Sequence, residues 1–168
     1  SHDALFIVDP IDGTVAFLKG RPHFTHCAAV VRDGVPVAGV VHNPMLDHLY
    51  KAMEGGGAFR GADPIHVAAG RGLEGCAMLG DRAVLGRPPW PRMQVETRNS
   101  VAYRMALVAD GSFDATVSLS AKRDWDLAAA QIILREAGGH VSDRRGAALV
   151  YNRPEACQPS MVAAGPEL

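Results

Sequence analysis

The sequence predicts a layered α/β domain, and three observations carry that prediction. An apolar run, Leu5-Phe6-Ile7-Val8, stops at Asp9-Pro10 and reads as a fully buried strand. Two segments rich in β-branched residues, 25–31 and 35–42, flank Asp33-Gly34, a pair suited to a tight turn with positive φ. Residues 126–137 carry an apolar stripe of Leu127, Ala130, Ile133, Leu134 and Ala137, closed by Gly138-Gly139. The chain is strand-rich at first, then strands and helices alternate. That is the pattern of stacked layers.

Each further element has its own local signal. Leu49-Tyr50-Lys51-Ala52-Met53 extends the hairpin into a third antiparallel strand, and Gly55-Gly56-Gly57 breaks it. Cys76-Ala77-Met78-Leu79-Gly80 is a short buried strand, whereas Pro88-Pro89-Trp90-Pro91 excludes regular structure and reads as a surface loop. Ser100 can cap a helix through Val101, Met105, Leu107 and Val108, with Gly111 as its stop. Residues 115–119 form a strand, and Val141 and residues 161–164 are closing strands. With no internal repeat and no linker, a single domain over residues 1–168 is expected.

Composition excludes several classes of function. The 168 residues carry 17 Lys and Arg against 18 Asp and Glu, a formal net charge of −1. A polymer of nucleic acid would call for a basic excess, so no such partner is expected. With 48% hydrophobic and 21% charged residues the chain is an ordinary globular one. No apolar run approaches the roughly 18 residues that cross a bilayer, and no basic leader precedes Ser1-His2-Asp3, so neither membrane nor secretion is expected. Cys27, Cys76 and Cys157 are odd in number and far apart, which fits a reducing, cytoplasmic setting, and Cys27 and Cys76 sit in apolar strands as buried thiols.

Two segments bear the chemistry. In Asp9-Pro10-Ile11-Asp12-Gly13-Thr14 a buried strand delivers two carboxylates to one turn, followed by glycine and a hydroxyl. Hard oxygen donors at one point suit Mg²⁺, which takes a few carboxylates plus water and phosphate. Gly13 and Thr14 offer backbone N–H groups where a phosphate would be welcome. An Asp-Pro turn with solvated carboxylates has the same composition. In Trp125-Asp126-Leu127-Ala128-Ala129-Ala130, Asp126 falls in the first turn of the strongest helix, either as a cap or as a third carboxylate brought from far away in sequence. Trp125 is expected to pack that helix against the sheet, and His23 and His26 to be loop and strand histidines without a metal.

Together the two segments resemble the inositol monophosphatase superfamily of Mg²⁺-dependent, lithium-sensitive phosphatases. Residues 17–24, the meander of 34–53, Gly55-Gly56-Gly57-Ala58 and Glu136-Ala137-Gly138-Gly139 follow in the order and spacing of that family. The resemblance implies a layered αβαβα sandwich lacking its N-terminal helices and first strands. It implies metal ligands at Asp9, Asp12, Asp126 and the carbonyl of Ile11, in a site that holds two or three Mg²⁺ ions when complete. It implies phosphate contacts from Gly13 and Thr14, with Thr14 and Asp12 acting on the attacking water and Asp126 beside the substrate. The reaction implied is hydrolysis of a small phosphate monoester by metal-activated water, without a phosphoenzyme.

The resemblance also carries departures. A Glu pair that the family places upstream of the Asp9 segment is absent, so the chain looks like the C-terminal two-thirds of a member. On its own it is expected to have little activity, and a catalytically silent metal- or ligand-binding protein of the same fold is the alternative. Where inositol monophosphatases place a Glu, seven residues before Asp126, stands Leu119. Lys122 and Arg123 are candidates for a second phosphate, and Asp124 for an ion pair with Arg123. Tyr151-Asn152-Arg153-Pro154 resembles the nucleotidase branch. A 3′(2′),5′-bisphosphate nucleotide is therefore placed ahead of inositol monophosphate and histidinol phosphate. Members of the family pair through their sheets, and an exposed apolar face left by truncation would favour a homodimer.

Overall fold

The computed structural model describes residues 4–70 and 72–168. Its first half is a six-stranded antiparallel meander in sequence order: β1 (Leu5–Asp12), β2 (Thr25–Arg32), β3 (Val35–Asn43), β4 (His48–Met53), β5 (Ala58–Arg60) and β6 (Asp63–Pro64), with the short α1 (Thr14–Leu18) after β1. The second half supplies β7 (Ala77–Leu79), α2 (Arg82–Leu85), β8 (Gln94–Glu96), α3 (Val101–Ala109), β9 (Ala115–Ser118), β10 (Lys122–Arg123), α4 (Asp124–Glu136), β11 (His140–Ser142), β12 (Cys157–Gln158) and β13 (Met161–Ala164). Five of these strands form a second sheet in the order β11-β13-β9-β7-β8, in which β7 runs parallel to both neighbours. β10 and β12 pair separately.

Helices α3 and α4 pack together between the two sheets, α4 against β1 to β4 and α3 against β9 and β13. Strand β2 shows why the first sheet takes one face only: Thr25, Cys27, Ala29 and Val31 are buried while His26, Ala28 and Arg32 are exposed, a period of two. Helix α4 is buried nearly all round, through Leu127, Ala128, Ala129, Ala130, Ile132, Ile133 and Leu134, because layers cover it on both sides. Its alanines let β3 approach closely at Gly39, where a Cβ would stand 2.6 Å from the Ala129 carbonyl. Burying each large aliphatic side chain here contributes about 1.5–3 kcal/mol.

The layered α/β architecture is the expected one, and the sheet, helix pair and second sheet are its central layers. The differences lie at boundaries and in short elements. Helix α4 starts at Asp124 rather than Asp126, and α1, α2, β8, β10 and β12 have no periodic signal long enough to read. Trp125 does not pack α4 against a sheet: it is 41% exposed with the Arg123 guanidinium over its ring. Cys27 and Cys76 are buried thiols as expected. The outer face of the first sheet leaves Phe6, Val8, Val40 and Met53 exposed. Among the described residues no helix is long and apolar enough to cross a membrane.

Candidate metal centre

Asp9 and Asp12 lie three apart on β1, and in a regular strand their side chains would leave opposite faces. The pairing of β1 with β2 shifts register between these two residues, and both are buried. This irregularity turns the two carboxylates to the same side. The Ile11 N–H donates to Asp9 Oδ1 at 2.9 Å, which closes the local turn. The first turn of α4 contributes Asp126. Asp9, Asp12 and Asp126 each offer an oxygen, all within 4.8 Å of one another.

Asp12 is the most deeply held of the three. Its Oδ2 accepts from the Ser100 hydroxyl at 2.6 Å and from the Ala102 N–H at 2.8 Å, at the start of α3. Ser100 caps that helix by accepting from the Tyr103 N–H. Because an ionised Asp12 can only accept, Ser100 must donate to it, and Thr25 Oγ1, 2.9 Å from Ser100 Oγ, is then the donor to Ser100. Burial nevertheless raises the Asp12 pKa to about 6, opposed by the Ser100 and Ala102 hydrogen bonds and reinforced by Asp126 and Asp9. Burial is likewise the largest cause raising Asp9. Among the described residues, none of the three carboxylates forms an ion pair.

Gly13 is required by two independent demands. Its φ is 88°, and a Cβ there would stand 2.9 Å from both the His23 carbonyl and the Ser100 nitrogen. Only glycine lets β1 turn into α1 against the α3 cap. Asp12, Gly13, Thr14, Lys122 and Asp126 line one cavity of about 550 Å³, together with Arg98, Ser100 and Arg104. That volume suits a small organic phosphate.

The start of α4 is clamped from the far end of the sequence. Asp124 does not pair with Arg123: it is buried and accepts from the Asn152 N–H at 3.0 Å and from Gln158 Nε2 at 2.9 Å. Tyr151 is buried, and its hydroxyl donates to Gln131. The Tyr151-Asn152-Arg153-Pro154 segment therefore holds the turn that carries Asp126. Asp126 also accepts the Arg123 N–H at 3.0 Å, so its capping role and its place among the carboxylates coexist.

Other candidate residues divide. Lys122 lines the cavity, although its Nζ already bonds Ser120 Oγ and the Ala121 carbonyl. Arg123 is not brought to that cavity: its guanidinium donates to the Glu155 carbonyl and covers Trp125. Ile11 lies between the two β1 carboxylates. Leu119 stands beside a second cavity. His23 stacks on Tyr103, and His26 contacts the Pro10 carbonyl, neither joined to the carboxylates in a metal-like group. Sequence reading missed two residues, Ser100 as the support of Asp12 and Arg104 as a wall of the cavity. The Ser100 cap signal was visible, whereas Arg104 sits on a helix read only for its apolar positions.

The sequence profile described as the inositol monophosphatase family matches residues 1–165. An inositol-1-monophosphatase of Mesorhizobium japonicum is 41% identical over 159 residues, covering 84% of this chain and 57% of the relative. A 3′(2′),5′-bisphosphate nucleotidase CysQ of Aggregatibacter actinomycetemcomitans is 33% identical over 162 residues, covering 89% of this chain and 60% of the relative. The crystal structure of Staphylococcal IMPase-II superposes with a TM-score of 0.87 at 28% identity, covering 100% of this chain and 66% of that one. The chain thus spans less than two-thirds of the length of these relatives. On the matching profile, the shared fold and the identity to its relatives, it belongs to the inositol monophosphatase family.

Proposed function

We propose that this chain carries the metal- and phosphate-binding part of a Mg²⁺-dependent phosphomonoesterase. The observation that supports this most is the convergence of Asp9, Asp12 and Asp126, buried or half-buried and with no ion pair among the described residues, beside a cavity of small-molecule size. Three converging carboxylates are costly unless something offsets their charge. Three carboxylate oxygens within 4.8 Å of one another would suit a hard divalent cation such as Mg²⁺.

In this reading Asp9, Asp12, Asp126 and the Ile11 carbonyl would hold Mg²⁺. The ion supplies Lewis-acid chemistry, polarising the phosphoryl group and acidifying water. The chain's own residues do the positioning. The Thr25–Ser100 relay and the Ala102 N–H hold the Asp12 carboxylate in place. Gly13 leaves room for an ester at the cavity floor, and the Thr14 hydroxyl orients the attacking water. Lys122 can exchange its neutral partners for a phosphate oxygen. A 3′(2′),5′-bisphosphate nucleotide is the favoured substrate. The CysQ relative bears that activity in its name, and SaIMPase-II has been crystallised with both inositol monophosphate and 2′AMP.

The test is phosphate release from adenosine 3′,5′-bisphosphate, inositol 1-phosphate and histidinol phosphate as Mg²⁺ is titrated, beside calorimetric Mg²⁺ binding. Mg²⁺-dependent release that Asp9→Asn abolishes without loss of folding supports the reading. Unchanged release by Asp9→Asn removes the site. Mg²⁺ binding with no release from any ester favours the silent binding protein instead.

A further inference from the structure

Strand β1 changes parity between its two carboxylates. From Leu5 to Pro10 the even-numbered residues are exposed and the odd-numbered ones are buried or half-buried, yet Asp12 is buried. The pairing with β2 shows where the switch occurs. Asp9 faces Cys27 and Asp12 faces Thr25, so Pro10 and Ile11 together stand opposite one residue, His26. Two residues against one make a β-bulge. Without it the two carboxylates would leave opposite faces of the sheet.

A bulge interrupts the ladder, and its backbone groups need other partners. Side chains supply them here. The Ile11 N–H donates to Asp9 Oδ1 at 2.9 Å. Pro10 has no N–H to place, and its carbonyl is met by His26 Nδ1. A carbonyl only accepts, so Nδ1 carries the proton and donates. The ring is flanked on both sides: Phe24 meets it edge-on with centroids 6.1 Å apart, and His42, its cross-strand neighbour on β3, also lies 6.1 Å away. His26 itself is on the exposed face of β2 and does not line the carboxylate cavity.

We propose that His26 is a positioning residue for the metal centre: by holding the Pro10 carbonyl it fixes the bulge, and through the bulge the directions of Asp9 and Asp12. This rests on the Mg²⁺ reading above and adds the residue that keeps the site formed before an ion binds. The hydrogen bond is exposed, so water can replace it at small cost to folding. Water cannot replace the constraint on the bulge, which two proposed ligands share. Metal affinity should therefore respond more than stability does, and that inequality separates positioning from a purely structural contact.

The experiment measures Mg²⁺ affinity by calorimetry, and in EDTA both Tm and hydrogen exchange of the Ile11 amide, on the full chain. The proteins are the wild type, His26→Leu and His26→Asn. Leucine fills the place of the ring without a donor, whereas the Asn amide nitrogen can stand where Nδ1 stands. His26→Leu should weaken Mg²⁺ binding about tenfold, the lower end for residues that orient metal ligands. Its Tm should fall by no more than about 2–4 °C, while Ile11 exchange accelerates. His26→Asn should recover most of the affinity and the slower exchange. His26→Thr, too short to reach the carbonyl, replaces the Leu variant should that fail to fold. Mg²⁺ affinity or Ile11 exchange unchanged in His26→Leu, or no recovery in His26→Asn, overturns the positioning role and leaves the phosphatase reading standing. A wild type that binds no Mg²⁺ overturns both.

Discussion

Helix α3 has an aspartate with a buried side chain at each end, and the chain treats the two in opposite ways. At its N-terminus Asp12 accepts from the helix cap and the Ala102 N–H, beside Asp9 and Asp126 and with no ion pair among the described residues. At its C-terminus, about 14 Å away for nine residues, Asp110 is the cap and is fully partnered. Its Oδ2 accepts from the Tyr50 hydroxyl at 2.7 Å and faces Arg60 at 3.5 Å, while Oδ1 accepts the Ser112 N–H. Arg60 in turn donates to His48 Nε2, and so His48 Nδ1–H points to the Tyr103 hydroxyl at 3.0 Å. The helix dipole favours the first aspartate and disfavours the second. Among the described residues, it is the aspartate opposed by the dipole that forms an ion pair. The lesson is that a structural carboxylate is neutralised by the chain, whereas the carboxylate cluster is where the proposed ion would sit.

Substitution at the two ends should separate these roles, and the largest effect is expected at the first. Asp12→Asn should weaken Mg²⁺ binding by at least about tenfold, or 1.4 kcal/mol, as measured by calorimetry. The same variant should melt at a higher temperature than the wild type in EDTA, because one of three crowded charges is gone. A lower melting temperature in EDTA would break the comparison at that end.

Asp110→Asn should do the reverse. Losing its charge leaves Tyr50 and Arg60 poorly matched, at a cost of about 1–3 kcal/mol. For a chain of this size that lowers Tm by roughly 2–9 °C, with Mg²⁺ affinity unchanged. A fall in Mg²⁺ affinity would show that the two ends are not independent.

In pH the effects at the two ends oppose each other in sign. Burial raises the folded pKa of Asp12 to about 6 from the ordinary 3.8. Without metal its contribution is therefore fully present below pH 3.8 and is lost as pH rises through about 6, on the order of 1–3 kcal/mol. Burial first, and then Arg60, lower the pKa of His48. Its contribution is present above the unfolded value of 6.5 and is lost as pH falls through the lower folded value. Urea unfolding in EDTA across pH 5–7.5 should show the acid-side gain disappear in Asp12→Asn and the acid-side loss disappear in His48→Gln. Identical slopes in all three proteins would contradict both assignments.

Legibility followed the range of the interaction. The β2–β3 hairpin, α3 and most of α4 were readable because each rests on a local period with a local stop, such as Asp33-Gly34 or Gly138-Gly139. The true start of α4 was not, since Asp124 is held by Asn152 and Gln158, which lie far along the chain. Arg123 and Trp125 were misplaced for a related reason. They satisfy each other at the surface, so neither lines the cavity or packs beneath the helix. Asp126 gave two readings, cap and ligand, and only packing showed that the capping side chain also stands beside Asp9 and Asp12.

The sequence alone determined the layered class and the order of its elements, because alternation, helical period and turn chemistry are written between near neighbours; the three carboxylates were singled out by the family resemblance of their two segments. The tertiary structure decided what those residues face. It took the irregularity in β1 to turn Asp9 and Asp12 to one side, and the closure of α4 to bring in Asp126. It also took the burial of α3 between two sheets to place Arg104 where two cavities meet. Convergence and desolvation are properties of surfaces brought together. Residue spacing along one segment does not encode them.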